Sequence, residues 1–152
     1  MKYDSDHEIM LVLLADDDED DRIFFKDAIN ELKIKTKVET VSDGQQLMDY
    51  LKEPGNPLPH VLFLDLNMPR KNGLECLREI RSNRDLKGLS IAIYSTSSAD
   101  HDIQESLIHG ANVYIKKPND FEKLKKAIAD VMNINWQYHT TALNKENFLM
   151  VL

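Results

Sequence analysis

The sequence predicts an α/β domain in which a five-stranded parallel sheet is doubly wound, with helices on both faces. Two observations carry this: short apolar runs alternate with amphipathic stretches, and two of those runs empty directly into acidic residues. At 152 residues the chain is one domain with room for a proper core, too short for this unit plus a second full domain.

The first run, Ile9 to Ala15, leads into Asp16 to Asp21, where the first helix should begin. Phe24, Phe25, Ala28, Ile29 and Leu32 form the stripe that turns this helix to the sheet. Val38 to Val41 is the second strand, followed by a helix from Asp43 to Leu51 with Leu47, Met48 and Leu51 inward, stopped by Pro54 and Gly55. Val61 to Leu64 is the third strand, and the helix from Leu74 to about Ser82 buries Leu77 and Ile80. Ile91 to Ser95 precedes a fourth helix from Asp100 to His109, which uses Ile103 and Leu107 and takes Gly110 as its C-cap. Asn112 to Ile115 is the last strand, and Asp120 to Met132 the last helix, with Phe121, Leu124, Ile128 and Val131 on one face. Residues 134 to 152 form an extension holding Trp136, Tyr138 and the apolar end Phe148 to Leu152; it either packs back on its own domain or buries itself in a second subunit.

Asp65 carries the chemistry. It ends the third run and is followed by Leu66, Asn67, Met68 and Pro69, then Asn72 and Gly73, so it stands on the rim of a sheet where ligands reach it. If the first and third runs are neighbouring parallel strands, Asp16 and Asp17 share that rim. Like charges so close repel and need a counter-charge. A hard divalent cation held by oxygen ligands answers this, with Mg2+ the natural candidate, and Lys117 brings a second positive charge from another strand end.

Composition narrows the classes. A formal charge of -7 argues against a nucleic-acid partner, which clustered Lys and Arg would have to hold. One cysteine, Cys76, excludes an intramolecular disulfide, reads as a small apolar filler and fits a reducing cytoplasm. The N-terminus lacks the apolar core of a signal peptide, and Ile9 to Ala15 is far too short to cross a membrane. His7, His60, His101, His109 and His139 are scattered, without the spacing of a metal site.

These residues together resemble the response-regulator receiver domain of two-component signalling, over residues 8 to 133. In that family a pair of acids closes the first strand with a basic residue five positions on, as Arg22 stands after Asp17. Ser95 takes the place of the hydroxyl residue ending the fourth strand, with Thr96 beside it, and Lys117 precedes Pro118 with Tyr114 three residues earlier. The resemblance implies a flavodoxin-like (βα)5 three-layer sandwich with strand order 2-1-3-4-5. It implies that Asp65 is the phosphoacceptor, served by Lys117, and that Asp16, Asp17, Asp65 and the backbone carbonyl of Asn67 hold Mg2+. Ser95 and Tyr114 become the switch, while Asn67 and Ser97 tune the lifetime of the acyl phosphate. The implied partners are a sensor histidine kinase or histidine phosphotransfer protein and a downstream protein target, with a homodimer open.

Alternatives are weaker on particular residues. Apart from its own phosphorylation and slow autodephosphorylation, the chain is not expected to be an enzyme: an aspartate-nucleophile phosphatase wants a second aspartate two residues on, where Asn67 stands. No glycine-rich phosphate loop supports a nucleotide-binding module. Asp18 to Asp21 read as the acidic start of a helix, facing its dipole and solvent.

Overall fold

The computed structural model describes residues 9–134 and the pair Leu149–Met150. Its elements are β1 (Met10–Ala15), α1 (Glu19–Asn30), β2 (Thr36–Val41), α2 (Gly44–Lys52), β3 (Val61–Leu64) and α3 (Gly73–Ser82), then β4 (Ile91–Ser95), α4 (Asp100–Ile108), β5 (Val113–Lys116), α5 (Phe121–Met132) and β6 (Leu149–Met150). All strands are parallel, in the order β2-β1-β3-β4-β5-β6. The five expected strands therefore stand in the expected order. A sixth strand, unexpected, adds to the β5 edge, with Leu149 opposite Tyr114 and Met150 opposite Ile115. Two residues are too few to show periodicity in a sequence. Trp136, Tyr138, Phe148, Val151 and Leu152 lie outside the described residues.

Strand alternation divides the core. Val12, Leu14, Phe63 and Tyr94 face α1 and α5, where Phe25, Ile29, Leu124 and Ile128 meet them. Leu13, Leu62, Leu64 and Ile93 face the other way, onto Leu47 and Met48 of α2, Leu77 and Ile80 of α3, and Ile103 of α4. A strand covered on both faces must be apolar throughout, which is why these runs read as continuous. On one side Phe25, Phe63 and Tyr94 pack edge to face, with centroids 4.9 to 6.5 Å apart.

Helix starts follow from short polar side chains. Asp18, Asp43 and Asp120 accept from the amides of Asp21, Gln46 and Lys123, and Asn72 forms a capping box with Glu75. At α4 the N-cap is Ala99, and Ser97 substitutes: its Oγ accepts from the Ala99 amide and donates to Asp102. α4 ends at Ile108 with His109 as its C-cap, one residue earlier than expected, and Gly110 follows. Gly110 has φ +100°, its amide donates to Leu107 and that of Ala111 to Ser106, the pattern that closes a helix through a left-handed residue.

Several boundaries move by a residue or two, and two of the shifts have a visible cause. β2 starts at Thr36, since it pairs along all of β1 from Met10 onward; as a half-exposed edge it does not need apolar residues there. β5 starts one residue late because Asn112 works as a bridge. Its Oδ1 accepts from the Ile91 amide and from Arg81 Nη2. The same guanidinium donates to the carbonyls of Lys87, Leu89 and Gly110, tying together the loops that lead into β4 and β5.

Gly73 sets the turn after β3. Its amide donates to the Leu66 carbonyl at 2.9 Å, and a Cβ there would lie 2.2 Å from the Asp65 carbonyl oxygen and 2.8 Å from Leu66 Cα. Both obstacles are backbone. Gly73→Ala should therefore cost about 1–3 kcal/mol in urea unfolding, the range for overpacking a filled site. An unchanged midpoint would mean that the turn has room to spare.

Candidate functional site

Parallel pairing delivers the acids to one place. Ala15 stands opposite Leu64, and the Asp65 amide donates to the Ala15 carbonyl at 3.0 Å, so the residues following β1 and β3 emerge side by side. On the other flank the Asp16 amide donates to the Val41 carbonyl at 3.1 Å. Arg22 Nη1 reaches back to the Asp16 carbonyl at 2.8 Å, and the Asp18 amide donates to Asp16 Oδ1 at 3.0 Å. Asp16 is fully buried and Asp65 nearly so, while Asp17 is exposed.

Lys117 enters from the end of β5, where its amide donates to the Ser95 carbonyl at 2.7 Å. Its Nζ lies 2.7 Å from Asp16 Oδ2, 2.9 Å from Asp21 Oδ2 and 3.3 Å from Asp65 Oδ2. It also sits 5.2 Å from the Tyr94 ring centroid. One ammonium thus meets three carboxylates.

Burial is the main reason the Asp65 carboxyl is pushed up to about 6; the Lys117 charge opposes this and the Asp16 charge adds to it. Burial likewise raises Asp16, against the pull of Lys117. For Lys117, burial alone works against the charge, but the contacts with Asp16 and Asp21 and the charge of Asp65 outweigh it, so the lysine stays protonated. The site remains short of positive charge.

The residues fit a divalent cation. Asp16, Asp17 and Asp65 each offer a carboxylate oxygen, all within 4.8 Å of one another, the oxygen-only donor set that hard cations take. Asp16 Oδ2 is buried and faces the Lys117 ammonium at 2.7 Å. A carboxylate oxygen that takes one donor keeps a further lone pair suited to a metal ion.

Other expected residues fall as follows. Asn67 is exposed, and its amide donates to Asp65 Oδ1 at 3.3 Å. Ser95 is fully buried at the end of β4 and its Oγ accepts from the Ser97 amide at 3.1 Å; Thr96 is exposed. Tyr114 is already fully buried, its hydroxyl donating to the Ser97 carbonyl at 2.8 Å, so this conformation leaves no inward turn of an exposed ring to be made. Ser97 itself is committed to the start of α4. Cys76 is buried, as a filler should be, and burial pushes its thiol up to about 12. His60 Nδ1 accepts from the Leu11 amide and His109 approaches Glu105, neither near the carboxylates that could hold a cation. His7 and His139 lie outside the described residues.

Two contacts were not foreseen. Asp21, expected to face solvent, turns to Lys117, and Tyr94 lies beneath the same ammonium. The available signal for Asp21 is its place in the first turn of the helix that starts at this rim.

The pattern of the response regulator receiver domain matches residues 12–129. Response regulator Rcp1 of Synechocystis sp. is 29% identical over 125 residues, 80% of this chain and 85% of that protein. A probable chemotaxis protein CheY of Rhizobium etli is 31% identical over 120 residues, 79% and 90% respectively. Among solved structures, the Mn2+-bound form of Rcp1 superposes with a TM-score of 0.74 at 28% identity, covering 82% of this chain and 93% of that one. The phosphorylated cyanobacterial phytochrome response regulator RcpA gives 0.77 at 27% identity, covering 90% and 98%.

The pKa of Asp65 has a thermodynamic consequence. Raised from 3.8 to about 6, it makes the folded chain bind the extra proton between those values, so metal-free stability falls as pH rises through that window. Asp65→Asn has no such charge to bury. In chelator above pH 6 it should exceed the wild type by on the order of 2 kcal/mol in urea unfolding, the gap closing toward pH 4. A gap independent of pH would rule out the buried charge as its cause.

Proposed function

The chain belongs to the family of response regulator receiver domains, and from that premise we propose that Asp65 accepts the phosphoryl group that switches it. The family acts in two-component signalling and meets histidine kinases and downstream targets. The observation that carries the assignment is the convergence on Lys117 Nζ of Asp16 at 2.7 Å and Asp65 at 3.3 Å, beside carboxylate oxygens spaced for a cation.

In the transfer, an Asp65 carboxylate oxygen attacks the phosphorus of a phosphohistidine. A P–O bond forms as the P–N bond breaks, and the electron pair leaves with the imidazole nitrogen, which takes up a proton. A carboxyl at about 6 is still mostly ionised at neutral pH and so remains a nucleophile. Asp16, Asp17 and Asp65, with the Asn67 backbone carbonyl, would hold Mg2+, which when bound neutralises charge on the transferring oxygens. Lys117 contributes a point charge on the same oxygens. Mn2+ in Rcp1 and phosphorylation in RcpA support both parts of this reading. The chain's chemistry is confined to its own carboxylate: it takes up the group and slowly loses it.

Ser95 then donates its hydroxyl to a phosphoryl oxygen. Because its Oγ now accepts from the Ser97 amide, and the Ser97 carbonyl accepts from Tyr114, a shift of Ser95 is transmitted to the buried ring through one residue. About 5.5 kcal/mol of differential stabilisation would carry such a pair of states from 1:99 to 99:1. Asn67, exposed and bonded to the acceptor through its amide, and Ser97, at the loop, are the positions that set the lifetime of the acyl phosphate.

The receiver spans residues 8–133, with 134–152 as its extension. The pairing of Leu149–Met150 with β5 supports an extension packed on its own sheet. The domain works in the cytoplasm, and no described helix is long and apolar enough to cross a membrane. No nucleic acid is needed as a partner.

Acetyl phosphate with Mg2+ should add one phosphate by intact mass, lost in Asp65→Asn and on chelation; an unlabelled wild type or an equally labelled variant would refute the assignment. Deleting residues 134–152 should lower thermal stability without changing the mass per particle in solution. Halving of that mass would instead make the extension a homodimer contact.

A further inference from the structure

We propose that Asp21 is a positioning residue of the phosphorylation site, the one carboxylate that stays with Lys117 through the whole cycle. This rests on the assignment of Asp65 as phosphoacceptor. Lys117 has three N–H donors, and three carboxylates surround its Nζ: Asp16 at 2.7 Å, Asp21 at 2.9 Å and Asp65 at 3.3 Å. Two of these have other commitments. Asp16 and Asp65 belong to the group whose oxygens are spaced for a cation, and Asp65 gives up a carboxylate oxygen to phosphorus on phosphorylation. Asp21 is outside that group.

The lysine is poorly placed to lose partners. Its side chain is only 9% exposed, and the Tyr94 ring beneath it carries no full negative charge to replace a carboxylate. A buried ammonium whose donors go unpaired is costly, and one left to a single phosphoryl oxygen would be loosely aimed. Asp21 removes that problem. It sits in the first turn of α1, a rigid element whose start is fixed by the hydrogen bond from its own amide to the Asp18 side chain. Half in solvent, it does not require desolvation of its own charge to the extent that Asp16 does. When a phosphoryl oxygen takes the place of the Asp65 oxygen, Lys117 keeps one donor on α1 and turns another to the phosphoryl group. The arrangement aims the lysine in both states.

The test compares Asp21→Asn and Asp21→Ala with Asp20→Asn, which removes an acid from the same helical turn that is not among the ion-pair partners of Lys117 in the described residues. Labelling by acetyl phosphate at saturating Mg2+ should slow about tenfold in Asp21→Ala, less in Asp21→Asn, and stay near wild type in Asp20→Asn. Asp21→Glu should recover part of the loss. The affinity for Mg2+, measured by calorimetry without any phosphodonor, should change no more in the Asp21 variants than in Asp20→Asn. Asp21 variants that label like Asp20→Asn, or faster than wild type, would overturn the proposal, as would a selective loss of Mg2+ affinity. A wild type that does not label at all would instead remove the assignment of Asp65 on which it rests.

Discussion

Two carboxylates buried side by side are the constraint around which this rim is built. Asp16 and Asp65 follow adjacent strands, and burial makes both reluctant to ionise. Lys117 relieves the conflict only in part, because one ammonium stands among three acids. The remaining deficit of positive charge is what makes the site receptive to a cation. The perturbed carboxyls here reflect an electrostatic problem that the fold creates and does not fully solve.

The scaffold must be stiff for such a conflict to persist. Both faces of the sheet are packed, and backbone hydrogen bonds pin each functional residue to its neighbouring strand: Asp16 to Val41, Asp65 to Ala15, Lys117 to Ser95. At the opposite rim Arg81 performs a purely structural task with neutral acceptors, holding the approaches to β4 and β5. Between the site and the α4 side runs a short chain of contacts, from Ser95 through Ser97 to Tyr114 and Asp102. A change at the Ser95 end of β4 therefore has a physical route to the start of α4.

Much of this was legible in the chain. The order of elements followed from alternating apolar and amphipathic stretches, and Asp16, Asp17, Asp65 and Lys117 were marked by standing where apolar runs end. Boundaries were misplaced where hydrophobicity does not decide them: at Thr36, on a half-exposed edge, and at Asn112, whose amide side chain replaces a strand contact. From the sequence Asp21 faces solvent, because a run of acids at a helix start has a sufficient local explanation. Its partner lies 96 residues away, beyond any local pattern.

The sequence by itself determined the strands, the helices and the residue types at the rim, because periodicity, capping side chains and turn residues act over a few neighbours. Only the tertiary structure decided that one lysine serves Asp16, Asp21 and Asp65 together, that Tyr114 is already inside, and that Leu149–Met150 extends the sheet. The reason is physical. Which charges share a desolvated space depends on which strands lie side by side, and that is settled by packing across the whole sheet.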